Sequence, residues 1–174
     1  MLRIVEKLLL ITTVITLLVR NYSEADSMYF TLSLLTLCCL YGWLGFLIFT
    51  GVRLRSVFKQ VAYSHLKTAD IIIAAIAGVS ISMLIIGILF KAQYWPGATP
   101  NLAGGITCVT AITIISIIRL KSNKVIYTAI LTRTIPMIAL AVILYNMPLS
   151  MRMNLFKVHN TKVKVSILND TTLK

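Results

Sequence analysis

The run IIIAAIAGVSISMLIIGILF, residues 71–90, decides the fold of this chain. None of its side chains is ionisable, and Ser80 and Ser82 are its only hydroxyls. About twenty such residues, wound as a helix, match the thickness of a bilayer's hydrocarbon core. Working outward, three more runs fit the same reading: 28–50, 102–118 and 125–145. A shorter one, 4–19, begins among Arg3, Glu6 and Lys7. No small-residue cleavage site follows Val19, so this run reads as a retained first helix rather than a signal peptide. The expected fold is an all-α membrane protein, a bundle of about five transmembrane helices.

Composition agrees. Of 174 residues, 58% are hydrophobic and 13% charged, and the mean hydropathy is +0.89. A water-soluble domain carries roughly twice that charged fraction. The net charge of +12 comes from 17 Lys and Arg against five acids. Because the bases lie between apolar runs, they read as orientation signals and contacts for anionic phospholipid, and nucleic-acid binding is excluded. Nine of them fall at the amino end (Arg3, Lys7), in the 51–70 loop (Arg53, Arg55, Lys59, Lys67) and between the last two runs (Arg119, Lys121, Lys124). Only Arg20 and Lys91 fall in the alternate loops. That asymmetry places the amino terminus in the cytoplasm and the tail, 146–174, outside.

Two connecting segments have patterns of their own. In the 51–70 loop, Leu54, Val57, Phe58, Val61 and Leu66 recur at helical spacing opposite Arg53, Arg55 and Lys59, which predicts a basic amphipathic helix on the membrane surface. In the tail, Val163, Val165 and Ile167 alternate with Lys162, Lys164 and Ser166. This fits either a short β-hairpin or a disordered tail.

The chemistry is sparse. Glu6, Glu24, Asp26, Asp70 and Asp170 all fall outside the middle of the apolar runs, so no carboxylate is expected at membrane depth. His65 and His159 lie on opposite sides of the membrane in this topology, and Cys38, Cys39 and Cys108 lie inside apolar runs without metal-site spacing. No catalytic residue, cofactor site or metal site is expected. Arg133 is the one charge inside a run. It is expected to snorkel towards lipid phosphates or to meet a carboxylate on another subunit, and Pro136 frees a carbonyl near Thr132 as a local acceptor. Small residues recur four apart as Ala74, Gly78 and Ser82, and again as Ala103, Thr107 and Ala111. Such stripes let helices approach closely, within the bundle first and against a partner second.

Between residues 87 and 98, Phe90 and Lys91 end one run, Tyr94 and Trp95 are interfacial anchors, and Pro96-Gly97 makes a turn before Ala98. This string resembles the transmembrane hairpin of GldL, the inner-membrane motor family of bacterial gliding motility and type IX secretion. The matching residues are Phe90, Lys91, Trp95, Pro96, Gly97 and Ala98, and the likeness covers about residues 71–119, under a third of the chain. Tyr94 stands where that family has His, and residues 110–116 lack its intramembrane Glu. The resemblance implies a shared hairpin in a bacterial inner membrane, without motor activity. The function expected is that of a non-catalytic accessory or scaffold subunit of an envelope complex. Its partners would be other membrane subunits, contacted through Lys91, Tyr94, Trp95, Pro96, Gly97, Arg133, Ala74, Gly78 and Ser82. The alternative is an oligomeric transporter or channel-like protein for a neutral or lipid-like substrate.

Overall fold

The computed structural model describes residues 2–19, 24–52, 54–56, 66–148 and 151. Five α-helices make up almost all of the described chain: α1 (Leu2–Val19), α2 (Glu24–Thr50), α3 (Thr68–Gln93), α4 (Ala98–Ile118) and α5 (Lys124–Asn146). The protein is an all-α membrane bundle. Helices α2 (from Met28) through α5 are each long and apolar enough to cross a bilayer. Helix α1, with three charges in its 18 residues, does not meet that measure. The expected surface helix and the tail fall largely on residues outside those described; Leu54–Ser56 forms a single 3-10 turn.

Each helix runs opposite to its predecessor. Thr16, late in α1, faces Ser33, early in α2, and Gln93, at the end of α3, reaches back to Thr31 in α2. Helix α3 is the centre of the bundle, packed on α2, α4 and α5, with Ala74, Ala77, Ile81 and Leu84 wholly buried. Two pairs of backbone contacts explain why α3 can take this place. A Cβ on Gly78 would lie 2.6 Å from the Tyr41 carbonyl oxygen, and one on Gly45 would lie 2.7 Å from the Gly78 Cα. On the other side, a Cβ on Gly87 would meet the Leu102 Cα at 2.7 Å, and one on Gly105 the Leu84 Cα at 2.8 Å. In lipid the association of helices depends on such close van der Waals packing, because the solvent is as apolar as the side chains.

Local chemistry fixes the helix ends. Tyr94 adopts a left-handed conformation (φ 59°) and its N–H returns to the Phe90 carbonyl, which ends α3. Gly97 is left-handed too (φ 76°) and leads into α4. Asn123 caps α5, its side chain accepting the Ile126 N–H. Outward faces are apolar: Ile72, Ile76 and Val79 on α3, Ile114 and Ile118 on α4, Leu140 and Ile143 on α5, and Trp43, 80% exposed, on α2. Such a surface suits hydrocarbon.

The two stripes of small residues have different fates. Ala74 and Gly78 are buried against the bundle, and Ser82 packs beside Gly42 and Cys38. On α4, by contrast, the inward face is Leu102, Gly105, Val109, Ile112, Thr113 and Ser116. Thr107 and Ala111 are exposed, Ala103 is half-buried, and a Cβ on Gly104 would touch nothing within 4 Å. The expectation that this second stripe holds the bundle together is therefore corrected: a helical step of about 100° per residue puts it opposite the packed face. We expect Gly78→Val to destabilise the bundle by about 1–3 kcal/mol through overpacking. Gly104→Val should be near neutral for the isolated protein, both measured by denaturant titration in detergent.

Candidate functional site

Two clusters of polar residues, each built on a buried carboxylate, lie at the end of the bundle where α1, α3 and α5 begin. The first joins three helices. Glu6 of α1 is 2% exposed. Its Oε1 accepts hydrogen bonds from the Tyr41 hydroxyl of α2 at 2.5 Å and from Arg133 Nε of α5 at 2.5 Å. Its Oε2 accepts from Arg133 Nη2 at 2.8 Å. This is the two-pronged geometry in which guanidinium and carboxylate planes match. The remaining terminal nitrogen, Nη1, donates to the Ala129 carbonyl one turn back in α5 at 2.8 Å. The guanidinium also lies 5.7 Å from the centre of the Phe49 ring.

This geometry overturns two expectations. A carboxylate does lie inside the bundle, level with Arg133. The arginine, moreover, ends neither on lipid phosphate nor on a second subunit, because Glu6 of the same chain takes it. The physical reason lies in side-chain direction. Helical side chains lean towards the helix amino terminus, so the long stem of Arg133 carries its head back towards Ala129, the direction that snorkelling requires. There it meets α1. The local acceptor is accordingly the Ala129 carbonyl rather than that of Thr132. On insertion scales an isolated Arg or Asp at mid-helix costs about 2.5–3.5 kcal/mol, and an opposite charge at hydrogen-bond distance offsets much of that.

A second carboxylate lies at the same end. Asp70, in the first turn of α3, is also 2% exposed. It accepts the Tyr127 hydroxyl of α5 at 2.6 Å and the Asn123 side-chain amide at 3.4 Å. Asn123 thus caps α5 and ties α5 to α3. With Glu6 and Asp70 drawn inward, the outside of this end is left basic: Lys7, Arg55, Lys67, Arg119, Lys121 and Lys124 are all exposed.

The opposite end carries the hairpin. The sequence ends the run at Lys91 and offers it as a partner or lipid contact, but α3 continues through it to Gln93 and it is 8% exposed. Its ammonium donates to Thr99 Oγ1 at 2.9 Å and lies 5.7 Å from the Tyr145 ring centre. Lys91 therefore fastens the two arms of the hairpin to each other and to α5. Tyr94 is half-buried as the cap of α3, while Trp95, Pro96 and Gly97 are exposed, with Trp95 edge-on to Phe90 at 5.0 Å. Of the residues expected to contact partners or lipid, Trp95, Pro96 and Gly97 are thus outward, whereas Lys91, Arg133, Ala74 and Gly78 serve the interior. Among the described residues, no three His, Cys, Asp or Glu side chains converge as a metal site.

Glu6, Tyr41, Asp70 and Tyr127 were not singled out from the sequence, yet a signal existed. Glu6, Leu10, Thr13 and Leu17 repeat at three- and four-residue spacing, which places Glu6 on the seam that α1 turns towards α2. Asp70, Ala74, Ala77 and Ile81 share a stripe on α3 in the same way.

No family model, curated protein or solved structure matches this chain. Its own geometry therefore carries the functional reading. Tyr127→Phe leaves one Asp70 oxygen without its short donor inside the bundle. We expect it to lower stability by about 1–3 kcal/mol in a detergent unfolding titration, with Thr107→Val, an exposed hydroxyl change, as the near-neutral control.

Proposed function

We propose that this protein is a non-catalytic membrane subunit that packs beside other proteins in a larger complex. The observation that carries this reading is the outward stripe Ala103, Gly104, Thr107 and Ala111 on α4. Every other close glycine contact described above serves a helix–helix seam of this chain, between α2 and α3 or between α3 and α4. The α4 stripe offers the same small surface with none of the described helices upon it. A face that meets only lipid has no need of glycine, which costs about 1 kcal/mol relative to alanine in a helix. The Thr107 hydroxyl is satisfied by the Ala103 carbonyl at 2.9 Å, so a partner need supply only shape.

The polar clusters support the same reading. The Glu6 oxygens are engaged by three donors and those of Asp70 by two, so both carboxylates act as fasteners between helices. The resemblance of residues 71–119 to the GldL hairpin points to an envelope machine, such as one for secretion or gliding, as the setting. The exposed basic residues at one end favour that end facing the cytoplasm and the anionic phospholipid there.

Affinity purification in a mild detergent, followed by native mass measurement, tests the proposal. The wild-type chain should retain a second membrane protein. Gly104→Leu together with Ala111→Leu should lose it, without changing the unfolding midpoint of the purified chain. A wild-type chain that purifies as a lone monomer would remove the idea. A pure homo-oligomer that conducts solute in liposomes would favour the transporter reading instead.

A further inference from the structure

We propose that α1 is a detachable strap, held on the bundle by insertion of Glu6 into a seat formed by Arg133, Tyr41 and Phe49. Three observations carry this. First, Glu6 is the only buried side chain among the described ones of α1; Ile4, Val5, Leu8, Ile11, Val14 and Ile15 are exposed, and Leu9, Leu10 and Leu17 are only partly covered. A helix normally docks through buried apolar residues, whereas this one docks through a carboxylate. Second, α1 lies at the edge of the bundle, along α2, and reaches α5 through Glu6. The α2–α3–α4 seams are closed by backbone contacts that do not involve α1. Third, Arg3, Glu6 and Lys7 give α1 three charges in 18 residues, more than any of the other four helices, and all three lie in its first two turns, where lipid alone holds it less firmly.

The seat is specific in chemistry. Two parallel N–H donors and one hydroxyl fit a carboxylate and nothing apolar. The pair thus sets both the register of α1 along the bundle and the condition for its release. Breaking it leaves the core intact and frees one helix as a unit.

Two cysteine reporters in the full-length chain, oxidised in native membranes, distinguish a strap from a general determinant of the fold. One joins α1 to α2 by Thr16→Cys with Ser33→Cys, whose hydroxyl oxygens are 3.4 Å apart, with Cys38→Ser, Cys39→Ala and Cys108→Ala removing the native thiols. The other joins α2 to α3 by Ser82→Cys with native Cys38, where sulfur and hydroxyl are 2.9 Å apart, in a Cys39→Ala, Cys108→Ala chain. Glu6→Ala should lower the α1–α2 crosslink at least fivefold and change the α2–α3 crosslink less than twofold. The exchanged pair Glu6→Arg with Arg133→Glu should restore at least half of the α1–α2 yield, because charge and reach are conserved across the swap. An α1–α2 yield that falls less than fivefold in Glu6→Ala overturns the proposal. So does a parallel loss of the α2–α3 crosslink, or a double variant no better than Glu6→Ala.

Discussion

Hydrocarbon offers no hydrogen bonds, so a polar group that enters it must be satisfied by the protein, and this requirement orders the whole bundle. Backbone groups meet it by winding into helices. Isolated hydroxyls meet it locally: Thr12, Thr36, Thr50, Thr113 and Ser116 each donate to the carbonyl four residues earlier. Charges need more, and each buried carboxylate is met by donors from other helices. The Glu6 and Asp70 clusters are therefore where the chain's connectivity becomes three-dimensional, linking α1 to α5 and α3 to α5 across elements that are not neighbours in sequence. Glycine contacts bring the central helices together, and the polar clusters determine which helix faces which.

The two ends of the bundle solve this problem differently. At the end where α3 and α5 begin, both acids are folded inward, Glu6 with Arg133 as its partner, and the other described bases are left outside. At the hairpin end the one described cation, Lys91, is folded inward and an aromatic ring takes the outer position as Trp95. The result is a molecule with a cationic rim at one end and an aromatic, turn-forming cap at the other. That polarity suits a bilayer whose leaflets differ in charge.

Much of the fold was legible because span length is a one-dimensional property: a run such as 71–90 declares itself without any knowledge of its neighbours. The helices extend only a few residues beyond those runs, as where Lys91 finds a partner across the hairpin turn and Gln93 one on α2. What could not be read was depth relative to other helices. Glu6 lies five residues into α1 and Arg133 ten residues into α5, and counting along each helix separately hides that they meet. The α4 stripe failed for another reason. Small residues occupy both faces of that helix, Gly105 inward and Gly104 outward, and spacing alone does not say which face meets α3. On α3 Ala74 and Gly78 face the bundle, one of the two places that their spacing alone leaves open.

The separation of 127 residues between Glu6 and Arg133 has a consequence for how this protein is made. At about 5–20 residues per second of synthesis, the acid precedes its guanidinium by roughly 6–25 s. Throughout that interval Glu6 lacks the guanidinium that takes both of its oxygens in the folded bundle, although α2, with the Tyr41 hydroxyl, is already made. The ion pair thus joins the earliest and the latest made of the described helices, and a product truncated before α5 would leave Glu6 without Arg133.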